Sequence, residues 1–171
     1  MKVYGDVFKD WSLVQETDEI DLAAAVNGAK SVLCNDMFFS HMDNLIMPGR
    51  GVNMGDGWET KRRRGPGHDW TIIKLGRPGS IRRLEVDTSW FKGNFPESCS
   101  LEACNAAREA IESLQDPEFV WKPVLARTKL QAHTRHFFDE LMDVGNVSHV
   151  RFNIFPDGGV SRLRVYGTIE D

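Results

Sequence analysis

Between residues 53 and 69 the chain reads NMGDGWETKRRRGPGHD, and these seventeen residues hold three acids (Asp56, Glu59, Asp69), four bases (Lys61, Arg62, Arg63, Arg64), His68 and Trp58. Four glycines and one proline punctuate the stretch, so neither a helix nor a regular strand fits it. Acids and bases on an irregular segment suit a site for a small polar ligand, because a loop held by a rigid scaffold aims its side chains at one point. Guanidinium forks match carboxylates in a bidentate way, so the chemistry expected of residues 61–64 is capture of a small anion, with neighbouring acids holding the arginines in place. The plain alternative is a solvated charged loop.

The rest of the composition limits what that loop serves. At 171 residues, with 41% hydrophobic and 27% charged residues, the chain suits one globular domain with a sizeable core. The formal net charge is −4 despite the basic run, which argues against a nucleic-acid binder. No apolar run approaches membrane-spanning length, and residues 1–10 are charged and contain no signal-peptide core. Cys34, Cys99 and Cys104 have neither zinc spacing nor an even count for pairing, so reduced thiols and a cytoplasmic setting are expected.

The elements that must position the loop are mostly strands. Residues 1–10 are expected to extend over the surface. A short helix is predicted over 17–26, capped by Thr17 or Asp18 and stopped at Asn27-Gly28. A strand at 31–34 leads through Asp36 into a loop ending near Pro48-Gly49. Runs at 70–75 and 81–87 flank Pro78-Gly79 and read as a hairpin, with Leu84 and Val86 on one face and Arg83, Glu85 and Asp87 on the other. Residues 88–96 form a second polar-aromatic loop carrying Lys92 and Asn94. A strand at 98–104 turns Cys99, Leu101 and Ala103 to one side. Residues 105–116 carry a helical stripe of Ala107, Ala110, Ile111 and Leu114, and 118–125 reads as a strand containing Trp121. Residues 129–141 fit strand or helix; His133 and His136 at i, i+3 read as surface histidines. Runs at 147–155 and 160–166 alternate about Pro156-Asp157-Gly158-Gly159 and read as a hairpin, with Arg162 and Arg164 on its outer face. Seven or eight short strands at regular spacing point to an all-β sandwich.

Four segments carry a resemblance: MGDGWETKRRRGPGHDW, IIKLG, VDTSWFKGNFP and VRFNIFPDGGVSRLRVYG. Together, from about Val32 to Gly167, they resemble the allantoicase family. That resemblance implies a galactose-binding-like jelly-roll β-sandwich with short peripheral helices. It implies hydrolysis of allantoate to ureidoglycolate and urea in purine (allantoin) degradation. Members of the family usually carry two such repeats in one chain; this chain carries one, most similar to the second, and is treated as a single domain over 1–171. A natural single-repeat member is expected to pair with copies of itself as a homo-oligomer; the other reading is a paralogue of changed function.

The implied reaction asks for three things: a hold on the allantoate carboxylate, a proton for the departing urea nitrogen, and deprotonation of water as it adds. Arg62, Arg63 and Arg64 are candidates for the carboxylate, with one or two of them expected in salt bridges to Asp56 or Glu59. His68, Glu59, Asp69 and Asp56 are the catalytic candidates; His68 is the residue type that changes charge near neutral pH. Lys92 and Asn94 are candidates for the ureido oxygens, and Asp36 and Trp58 are further substrate-binding candidates, Asp36 otherwise forming a turn and Trp58 otherwise plugging the core. Arg162 and Arg164 are weaker candidates for lining the site. No cofactor is expected; a divalent metal held by Asp, Glu or His fits the chemistry, and no ligand spacing requires one. The partner is a small-molecule substrate, with no nucleic acid and no membrane. The alternatives are a non-catalytic carbohydrate- or ligand-binding module, or a structural half-repeat without activity.

Overall fold

Alternation of apolar residues along the chain dictates strands, and ten of them occur among the residues described in a computed structural model, Gly5 and 9–169. They are β1 (Ile20–Asp21), β2 (Lys30–Cys34), β3 (Trp58–Glu59), β4 (Asp69–Asp87), β5 (Ser98–Cys104), β6 (Lys122–Lys129), β7 (Arg135–Phe138), β8 (Asn146–Phe155), β9 (Gly159–Val160) and β10 (Arg162–Ile169). The only helices among these residues are short 3₁₀ turns, such as Met42–Ile46, Met54–Asp56 and Ile111–Gln115. The expectation for residues 1–10 lies almost wholly outside the described residues.

Strand β4 organises the sandwich. Its first half runs between β2 and β8, with Ile73 opposite Ser31 and Val150. Its second half runs between β10 and β7, with Val86 opposite Leu163 and His136. One continuous strand thus belongs to both layers: β2-β4-β8-β5-β6 and β1-β10-β4-β7. The hairpin expected at Pro78-Gly79 is therefore absent. A Cβ on Gly76 would lie 2.0 Å from the Asn27 carbonyl oxygen and one on Gly79 2.3 Å from that of Thr168. These glycines admit close backbone approach in an extended strand, so they do not make a turn.

The core fills the space between the layers. Ile73, Val150, Phe152, Ile154, Cys99 and Leu101 meet Leu84, Val86, Leu163 and Val165, all essentially buried. Each such large side chain contributes about 1.5–3 kcal/mol by leaving water. A second cluster (Ile72, Cys104, Ala106, Leu114, Trp121) seals the opposite face of the first layer.

Three further expectations change. Residues 17–26 are not a helix. The Asp21 carboxylate accepts from the backbone N–H groups of Ala23 (3.1 Å) and Val165 (3.0 Å), which fixes the segment as edge strand β1 on β10. Residues 105–116 do not form the expected helix either: only the 3₁₀ turn at Ile111–Gln115 occurs there, and Ala107, Ala110 and Ile111 face water. Ala106 and Leu114 pin the segment instead, through Ala106 N–H to Ser148 Oγ (2.8 Å) and Trp121 Nε1–H to the Leu114 carbonyl (3.3 Å). Finally, β8 and β10 do not pair with each other; each pairs with a different half of β4.

Candidate functional site

The 53–69 stretch is built on two-residue strand β3, which pairs with β9 so that Trp58 faces Val160 and Glu59 faces Gly159. Alternation sends the two side chains apart. Trp58 is fully buried, donates Nε1–H to the Asp36 carbonyl (2.9 Å) and packs near Phe152. It is a core residue, which corrects its place among the substrate-binding candidates. Glu59 turns outward, where its Oε1 accepts from Asn94 Nδ2. Beyond β3 the backbone is tied at three of the next four residues: Thr60 N–H to the Gly158 carbonyl (3.1 Å), Lys61 N–H to Asp36 Oδ2 (2.7 Å) and Arg63 N–H to Asp157 Oδ2 (2.7 Å).

Two clefts flank this segment and share Arg62 and Arg63. The larger, about 710 Å³, is walled by Glu59, Arg62, Asn94, Glu97, Lys129 and Asp157 among others. The smaller, about 300 Å³, is walled by Asn35, Asp36, Asp69 and residues 61–65. A separate crevice of about 840 Å³, lined by Lys9, Trp11, Lys30, Asp43 and Lys74, holds none of the candidate residues. Volume therefore does not select the site here; the convergence of ionisable side chains does.

The three arginines differ in kind. Arg63 is internal: its guanidinium pairs with Asp69, which is almost wholly buried and also accepts from Asn35 Nδ2 (3.0 Å). Arg62 makes no hydrogen bond or ion pair with the other described residues and reaches both clefts. Arg64 lines only the smaller one. The expected salt bridges to Asp56 or Glu59 are replaced by Arg63–Asp69, because those two acids are taken elsewhere. Asp56 Oδ2 accepts from Arg162 Nη2 (3.0 Å) and from Val52 N–H (3.1 Å), which places Asp56 outside both clefts as a loop anchor.

His68 lies against the Phe155 ring, centroids 4.5 Å apart, with Nε2 3.0 Å from Asn153 Oδ1; it lines neither cleft. Lys92 is exposed and lines neither as well. The outer-face expectation for β10 is also corrected. Arg162 is 3% exposed, donates to the Gly49 carbonyl (3.1 Å) and to that of Asp56; Arg164 donates to the carbonyls of Met47 and Gly49 (2.7 Å each). These arginines staple the 47–57 loop over the sheet.

Sequence reasoning missed Glu97, Lys129 and Asp157. Asp157 sits in the PDGG turn, whose chemistry signals a loop but not a cleft. Lys129 and Glu97 carry no local signal, since strand pairing of β5 with β6 brings them together. Hydrogen bonds from Ser98 Oγ and Arg127 hold the Glu97 carboxyl below its usual range. Burial pushes the Cys99 and Cys104 thiols up to about 12 and the Cys34 thiol upward, so none is a ready thiolate nucleophile. Among the described residues no three of His, Cys, Asp and Glu converge as metal ligands, and no helix is long and apolar enough to cross a membrane.

Known proteins share this architecture. Residues 20–170 match the family model described as Allantoicase repeat. The chain is 46% identical over 170 residues to a probable allantoicase of Pseudomonas fluorescens, covering 99% of this chain and 51% of that one. It is 51% identical over 174 residues to an allantoicase of Dictyostelium discoideum, covering 100% and 47%. The chain thus spans about half the length of the curated relatives it matches. The crystal structure of Saccharomyces cerevisiae allantoicase superposes with a TM-score of 0.77 at 39% identity, over 90% of this chain and 45% of that one. A family 32 carbohydrate-binding module of Clostridium perfringens superposes with a TM-score of 0.62 at 11% identity, over 88% and 95%, a likeness of fold alone. The fold is the galactose-binding-like β-sandwich.

Proposed function

The chain belongs to the allantoicase family, and from that premise we propose that its 710 Å³ cleft binds allantoate and hydrolyses it to ureidoglycolate and urea, a step in purine degradation. One observation carries the reading: Glu59, oriented by Asn94, shares this cleft with Arg62, a guanidinium that makes no hydrogen bond or ion pair with the other described residues. An acid fixed beside an available fork is what a carboxylate-bearing substrate with a hydrolysable C–N bond needs.

Arg62 takes the substrate carboxylate through two parallel N–H bonds. Glu59 then faces the central carbon and accepts a proton from water as the water oxygen bonds to that carbon. The C–N bond breaks with its electron pair on nitrogen, and the proton passes from Glu59 to the departing urea. Atoms and charge balance, and Glu59 ends as it began. Asn94 holds one carboxylate oxygen in place throughout. Arg63, locked to Asp69, fixes the segment that carries Arg62. Lys129 and Asp157 complete the wall.

The test is urea release from allantoate by the purified chain. Glu59→Gln is expected to lower kcat by about 10²–10⁴-fold, and Arg62→Met to raise KM with the fold intact. No release above a buffer blank from folded chain, or full activity in Glu59→Gln, would defeat the reading. We also propose that copies of the chain associate, since the curated relatives are about twice as long. Light scattering would read that directly, and a strictly monomeric yet fully active chain would oppose it. Three free cysteines are in keeping with a cytoplasmic setting.

A further inference from the structure

Two non-glycine residues hold a left-handed backbone among the described residues, Trp90 (φ 76°) and His133 (φ 51°), and they touch. For a bulky residue such as tryptophan this conformation is an outlier. Trp90 N–H donates to His133 Nδ1 (2.8 Å), His133 N–H donates to the Phe91 carbonyl (3.1 Å), and the two rings meet edge to face at 5.8 Å. Trp90 Nε1–H donates to the Gly51 carbonyl (2.7 Å), drawing in a third loop. Both side chains remain open to solvent, Trp90 by 42%, so core packing does not account for the strain.

The cleft accounts for it. Trp90 lies on the 88–96 loop, which supplies Gly93, Asn94 and Phe95 to the wall; His133 follows Lys129 and Leu130, which supply the adjoining wall. We propose that Trp90 and His133 form a clasp that positions this wall and, through Asn94, sets the Glu59 carboxylate. The proposal rests on the reading of the cleft as the catalytic site. Both are positioning residues and neither touches substrate. The lone pair on Nδ1 is the working part, because it accepts the Trp90 N–H and so holds the first turn of the loop at its strained φ.

Two substitutions separate this role from a merely structural one. His133→Gly tolerates the left-handed backbone and deletes the acceptor. His133→Asn tolerates it too and places Oδ1 where Nδ1 stood. With allantoate as substrate, His133→Gly is expected to lower kcat by about tenfold or more with KM little changed. Its thermal midpoint stays level or rises, amide hydrogen exchange quickens in residues 89–95 alone, and His133→Asn restores both activity and protection. The proposal is overturned if His133→Gly keeps normal kcat and loop protection. It is overturned equally if activity and thermal midpoint fall together with faster exchange across β4 and β8, or if His133→Asn fails to rescue. Should the unmodified chain release no urea, the activity reading fails, and the exchange comparison still decides the clasp.

Discussion

Neighbouring arginines with opposite duties make the sharpest prediction. Arg63→Met leaves the Asp69 carboxylate, 2% exposed, with only Asn35 Nδ2 at 3.0 Å. Removing one partner of a fully buried ion pair costs about 3–5 kcal/mol. The Arg63 side chain is 28% exposed, so water reaches the pair, and screening reduces the expected loss to about 2–3 kcal/mol. For a chain of this size, each kcal/mol moves the thermal midpoint by about 2–4 °C, so the expected drop is about 4–12 °C. Arg62→Met removes no partner, and its stability is expected to stay within about 0.5 kcal/mol. The assay is thermal unfolding followed by circular dichroism for both variants, paired with steady-state kinetics. Arg62→Met should raise KM at constant midpoint. Equal midpoint shifts, or an Arg63→Met chain as stable as the original, would refute the division of labour.

Other expectations follow from the same physics. Burial raises the Asp21 carboxyl from its ordinary 3.8 to about 6. The folded chain therefore binds this proton more tightly, and the stability it contributes is present below about pH 4 and lost as pH rises through 6, a swing of about 3 kcal/mol at most. Asp21→Asn keeps an oxygen for the Ala23 and Val165 N–H groups, so in urea titrations at pH 4–7 it should be relatively more stable at pH 7; a curve parallel to the original refutes this. His149 runs the other way: burial, with Lys74 adding to it, lowers its pKa to about 4, so stability is lost as pH falls from 6.5 towards 4, and His149→Gln should remove that loss. Gly159→Ala would place a Cβ 1.9 Å from Cε1 of the fully buried Phe91, so a stability loss of about 1–3 kcal/mol or more and a displaced 88–96 loop are expected, read by unfolding and amide exchange.

The strands at 98–104 and 147–155 were legible because Cys99, Leu101 and Ala103, like Val150, Phe152 and Ile154, enter the core at every second position, and that alternation of apolar residues leaves its mark in local sequence. Pairing was not legible. Pro78-Gly79 has turn composition, yet its glycine answers a neighbour far along the chain, the Thr168 carbonyl. Arg162 alternates as an outer-face residue, and only the distant 47–57 loop buries it. The same limit applied to the site. The 61–64 run announced an anion loop, and Glu59 and Asn94 were both candidates that meet in one cleft. Which arginine is tied down depends on Asp69 and Asn35, and Lys129 enters only through strand pairing.

The position of β10 has a temporal consequence. It lies between β1 and β4, with Ile20 opposite Gly167 and Val86 opposite Leu163, although it is the last strand of the described chain to leave the ribosome. Until it arrives, β1 has no neighbour and the second half of β4 presents a bare edge. From their own synthesis until residues 162–169 are made, Leu84 and Val86 therefore lack their β10 partners Val165 and Leu163, and the 47–57 loop waits for its two arginine staples. Such non-local closure is slow, on the scale of milliseconds to seconds. Any chaperone that binds the emerging polypeptide is expected to engage the 81–87 segment and to release it only when residues 162–169 have been made.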